Sequence, residues 1–145
     1  MGQIHGSKGI LFLDDQSGAC TACQDISGDL TAITFTRSKN NPDSTTFGKG
    51  MLQRIDGLGD MSMDVTAIFN SGELAEITGL LDDMFHGSLV SRAQYLPGGS
   101  VTGCPVYTAS MRLNNYANNQ PVDGIVALNF SLANAAGCMT SACAV

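Results

Sequence analysis

The side chains of this 145-residue chain whose types and spacing could do chemistry are its five cysteines and two histidines. Cys20 and Cys23 stand three positions apart, Cys138 and Cys143 five apart, and Cys104 is alone. If the two ends of the chain lay side by side, Cys20, Cys23, Cys138 and Cys143 would supply a four-thiolate zinc site, and the chain would be a small zinc-binding β-domain acting as a binding module. Two other readings stand beside that one. Cys104 packs as a small apolar side chain while the terminal cysteines sit in arms, or disulfides form within or between subunits once the protein has left a reducing cell. An odd number leaves one cysteine over in any fully intramolecular pairing. The spacing alone leaves all three open.

No other cluster points to catalysis. Cys20-x-x-Cys23 has the spacing of a thioredoxin-like pair, but that motif opens a helix after a strand, and here Gln24 to Gly28 reads as loop and then strand. His5 lies in a glycine-rich start and His86 at the end of an expected helix, neither beside a nucleophile. Asp14-Asp15 and Asp82-Asp83 are adjacent carboxylates, which point to different sides of a strand or helix and share no proton. Gly48-Lys49-Gly50 lacks the spacing of a phosphate loop, and Gly57-Leu58-Gly59 lacks a third glycine leading into a helix. The expectation is a protein that is not an enzyme and holds no cofactor.

Thirteen acids against seven bases give a net charge of −6, without a cluster of Lys or Arg to neutralise successive phosphates. Ordinary nucleic-acid binding is therefore not expected. Ile10 to Leu13 is too short for a signal core or a membrane span of about 20 residues, so neither export by a signal nor a membrane anchor is expected. The length suits a single domain over 1–145.

The elements that must position these residues are mostly strands. Tyr107, Ala109, Met111 and Leu113 alternate with polar Thr108, Ser110, Arg112 and Asn114, Val126, Leu128, Phe130 and Leu132 alternate with Ala127, Asn129 and Ser131, and more weakly Thr31, Ile33 and Phe35 with Ala32, Thr34 and Thr36. Ile10 to Asp14, Met61 to Phe69 and Leu89 to Leu96 are further strands. Leu74, Ile77, Leu80, Leu81 and Met84 follow helical spacing, with a capping box at Asn70 and Glu73 and a C-cap at Gly87, predicting one amphipathic helix over about 73–86. The fold class is mainly β: a sandwich or barrel, since the apolar face of such a sheet needs a second layer or closure, with one flanking helix.

Between Arg37 and Gly59 there is no period, and a loop of about 20 residues inside a compact domain usually has a function of its own. Asn114 to Asp123 reads as a shorter turn region. Residues 1–8 and 134–145 are small-residue segments expected to be arms.

Within this frame Thr45-Thr46-Phe47-Gly48 is followed by Gly57-Leu58-Gly59-Asp60 and a strand ending in Phe69-Asn70, and Asp25 to Phe35 precedes them. The order resembles the tail tube (major tail) proteins of long-tailed bacteriophages, over about Asp25 to Asn134. That resemblance implies a structural virion protein of the tail, made in the cytoplasm of a bacterial host. Its copies would form hexameric rings stacked into a hollow tube through which DNA passes on ejection without specific binding. The partners implied are other copies of the chain and other tail proteins. A long loop over about 37–59 would reach the adjacent ring, which assigns ring stacking to Arg37, Lys39, Thr45, Thr46, Phe47, Gly48 and Arg54, and the arms would lock neighbouring rings. The cysteine pairs depart from what the family leads one to expect. Six copies would carry a formal charge of about −36, which on a lumen would repel DNA over a Debye length of about 8 Å. A tail terminator, or the tube protein of a contractile or secretion apparatus, shares this architecture and remains an alternative.

Overall fold

The computed structural model describes residues 6–13, 24–68, 74–87, 91–135 and 140–143. In it the alternating segments become strands β1 (Ile10–Leu13), β2 (Gln24–Asp25), β3 (Leu30–Lys39), β4 (Gly59–Ile68), β5 (Ser91–Leu96), β6 (Pro105–Asn119), β7 (Ala127–Asn134) and β8 (Thr140–Cys143). The helical spacing becomes α1 (Leu74–Gly87), between β4 and β5. All eight strands belong to one antiparallel sheet ordered β2-β1-β5-β6-β7-β4-β3, with β8 also on β6.

The second layer comes from the sheet itself. Three strand spacings separate β3 from β6, roughly 14 Å on a flat sheet. Yet the Phe35 ring of β3 lies 5.4 Å from Tyr107 of β6 and 5.8 Å from Tyr95 of β5. The sheet is therefore curled over, which covers its apolar face as the sandwich-or-barrel expectation requires. Inside the curl are Leu11 and Leu13 of β1, Met61, Met63, Val65 and Ala67 of β4, Met111 of β6, and Leu128, Phe130 and Leu132 of β7. Helix α1 contributes Leu80, Leu81 and Met84 to the same core and packs against β6. Each buried leucine makes dozens of weak dispersion contacts, so the fit between layers matters as much as the area removed from water.

Strand β6 runs for 15 residues and serves two parts of the sheet. Tyr107 to Met111 pairs with β5, whereas Met111 to Asn119 pairs with β7. The register shifts between Leu113 and Asn115, and a bulge of this kind increases local twist where the strand passes from one part to the other. Backbone pairing thus overrides the turn-like composition of Asn114 to Asn119, and the turn is confined to residues 120–126. Within the expected C-terminal arm, Thr140–Cys143 pairs with Pro105 to Thr108 of β6. The capping box at Asn70 and Glu73 lies outside the described residues. Among the described residues no helix is long and apolar enough to cross a membrane.

Candidate functional site

The segment read as a loop over 37–59 begins later than the sequence suggests. Arg37 and Lys39 belong to β3, where they pair with Met61 and Gly59, so the excursion is 40–58. Their polarity hides the strand because they lie at the rim of the core: the Arg37 guanidinium sits 5.0 Å over the Tyr107 ring and 5.9 Å over Phe35. Lys39 Nζ lies 3.0 Å from Asp56 Oδ1, tying the end of β3 to the returning arm of the excursion.

Residues 40–58 are folded into a second, smaller hairpin. The Asn40 amide donates to Leu58 O at 3.0 Å, Ile55 N to Pro42 O at 3.1 Å, and Ser44 N to Gln53 O at 2.9 Å. Asp43 and Arg54 form a β-bridge. Asp43 Oδ1 accepts from the Thr45 amide at 2.8 Å and from the Thr45 hydroxyl, and that hydroxyl oxygen accepts from Gln53 N at 2.9 Å. These bonds to Thr45 hold the exposed Asp43 carboxyl below its ordinary pKa of 3.8. At the tip, Lys49 N donates to Thr46 O at 3.3 Å and Gly48 takes φ +93°, the left-handed value required at the third position of a type II turn. The turn leaves Phe47 at its corner, fully exposed. Gly57 is required at the base, where a Cβ would lie 1.8 Å from Asn40 O. Met51, Leu52, Ile55 and Leu58 are exposed along the same hairpin. Thr45, Thr46, Phe47, Gly48 and Arg54 are thus together, whereas Arg37 and Lys39 brace the hairpin from β3.

A second surface was not legible residue by residue in the sequence. The part of the sheet formed by β3, β4, β7 and the second half of β6 buries one face and exposes the other. Directly paired residues share a face, so Ser38 joins Asp60, Thr36 joins Ser62 and Ala133, Thr34 joins Asp64 and Ser131, and Ala32 joins Thr66 and Asn129. The β6 neighbours of that row are Arg112, Asn115, Ala117 and Asn119. The result is a face mostly of hydroxyls, amides and methyls carrying two acids, Asp60 and Asp64, and one base, Arg112, with Ala127 and the exposed Ile68 in the row of Asn119 at one end. Arg112 stands two strands away from Asp64, and among the described residues it makes no ion pair with either acid. Both margins of this four-stranded part are open among the described residues: β3 pairs only with β4, and β6 beyond Met111 pairs only with β7.

The cysteines do not form a described centre. Cys20, Cys23 and Cys138 lie outside the described residues, Cys143 is on β8, and Cys104 is a partly buried free thiol. His5 also lies outside them, and His86 is exposed at the end of α1 against the edge of Phe85. Among the described residues no three His, Cys, Asp or Glu side chains converge on a metal-sized site.

No protein-family model matches the chain, and no curated protein matches it in sequence. Several solved structures match its fold. A chain in the tail of an empty gene transfer agent particle, refined with C6 symmetry, aligns at a TM-score of 0.76 and 15% identity over 96% of this chain and 98% of that one. The SPP1 tail tube aligns at 0.76 and 11% identity over 96% and 78%. A chain of the sheath–tube complex of an extracellular contractile injection system, PVC, aligns at 0.68 and 10% identity over 97% and 93%. The fold of this chain is thus shared with the SPP1 tail tube and with chains in the tails of phage-like particles.

Proposed function

We propose that the chain is the structural subunit of a hollow tail tube in the virion of a phage or phage-like particle, made in a bacterial host and joined at its ends by other tail proteins. The observation that carries this reading is the mostly polar face bounded by two open strand margins. Strands β3, β4, β7 and β6 alternate in direction, so a β3 margin placed against the β6 margin of another copy continues the same antiparallel alternation. That contact joins two different surfaces, and when its rotation closes it makes a ring. It also removes two exposed strand edges, which proteins otherwise shield from uncontrolled pairing.

The size supports a channel. Six copies, the symmetry of the gene transfer agent tail, would bring 24 inner strands together. At about 4.8 Å per strand the circumference is roughly 115 Å and the diameter about 37 Å between backbones, before side chains and strand tilt. The apolar face is filled by the subunit's own core, and this supports the face of Asp60, Asp64 and Arg112 as the one turned to the channel. One excess negative charge per copy repels a DNA backbone within a Debye length of about 8 Å, and short hydroxyl and amide side chains present no cationic groove for it to settle in. The hairpin 40–58 projects beyond the end of the face and stacks one ring on the next.

Electron microscopy of the purified protein at high concentration, with and without reductant, tests the proposal. Rings or hollow tubes are expected under at least one condition. Their loss on reduction would further assign the cysteines to bonds between subunits, whereas compact monomers under every condition would count against the tube.

A further inference from the structure

Two apolar tips lie at opposite ends of the four-stranded face. The hairpin carrying Phe47 leaves the end where Lys39 pairs with Gly59. The turn over 120–126 lies at the other end, where Asn119 and Ile68 both pair with Ala127. Val122 is fully exposed there and Ile125 is 66% exposed. The ten residues of β4 set the two ends roughly 34 Å apart, so neither tip can cover the other within one copy. In a stack of identical rings, whatever projects from one face meets the opposite face of the next copy.

Charge agrees with that pairing. Of the hairpin's acids, Asp56 faces Lys39 and Asp43 is held by Thr45, whereas Lys49 is exposed beside the Phe47 corner. Asp123 is the sole charged residue of 120–126 in the sequence and is exposed beside Val122. We propose that the Phe47 tip of one copy seats on the Val122–Ile125 turn of a copy in the adjacent ring, with Lys49 facing Asp123. The inference rests on the tube reading and adds to it the surface that receives the hairpin.

A photo-reactive benzophenone amino acid in place of Thr46, which leaves Phe47 intact, tests the contact in assembled full-length protein. Irradiation is expected to link position 46 to a peptide containing residues 120–126 of another copy. Charge reversal provides an independent arm. K49D and D123K should each raise the protein concentration needed for tubes severalfold, and the double variant K49D/D123K should return it towards that of the unaltered chain. Tubes whose cross-links map elsewhere, or a double variant no better than either single one, would overturn this contact while leaving the tube intact. Failure of the unaltered chain to form rings or tubes would overturn the tube reading and this contact with it.

Discussion

Phe47→Ser separates assembly from folding. Phe47 is fully exposed at the turn and belongs to no core cluster of the subunit, so its removal should change the stability of an isolated copy by no more than about 0.5 kcal/mol. If ring stacking covers the side chain, the variant forgoes the transfer of a phenyl group from water, about 1.5–3 kcal/mol for complete burial. Each copy added to a stack makes one such contact downward, and 1.4 kcal/mol is a factor of ten. The concentration at which tubes form should therefore rise roughly 10- to 100-fold. Thermal unfolding of dilute subunits and light scattering across a concentration series measure the two quantities on one preparation. Tubes forming at the unaltered concentration would refute the burial of Phe47 between rings. A large fall in unfolding temperature would refute its isolation from the core.

Replacing both Asp60 and Asp64 by Lys should leave tubes able to form but convert the channel face to a cationic one, so that added DNA is retained in a salt-dependent way; tubes that ignore DNA would contradict placement of these residues in the channel. Arg37→Ala removes the guanidinium from over Phe35 and Tyr107, about 0.5–1 kcal/mol at an exposed site, and calorimetry should show a fall of roughly 2–4 °C in unfolding temperature. Asp43 has its pKa lowered by Thr45, so its contribution to the hairpin is complete above the unfolded value near 3.8 and is lost as pH falls through the lower folded value. The Thr45 amide resonance should titrate with a midpoint below 3.8, and that titration should vanish in Asp43→Ala.

Strands with one face in the core were readable because their apolar residues keep a period of two. Leu128, Phe130 and Leu132 of β7 are buried as that alternation implies, and Leu80, Leu81 and Met84 place α1 by the same logic at helical spacing. The second half of β6 was not readable, because Asn114, Asn115, Asn118 and Asn119 have turn-forming side chains and their strand exists through pairing with β7. Strand β8 consists of Thr, Ser, Ala and Cys, residues too small to show an apolar period, and only its pairing with Pro105 to Thr108 reveals it. Thr45, Phe47 and Gly48 stood out as a motif, yet their geometry depends on Asp43 and Gln53, which a local pattern does not connect to them. Asp60 and Asp64 share a face of β4 by the two-residue period, but the surface they belong to took shape only once the registers of β3, β4 and β7 aligned their neighbours.

Helical reconstruction by cryo-electron microscopy of tubes grown from the purified protein tests the orientation on which the proposal depends. A hollow tube is expected, with β3 of each copy paired to β6 of its neighbour and the Asp60 and Asp64 carboxylates on the channel wall. Assemblies in which that face lies on the outer surface, or which enclose no channel, would contradict it.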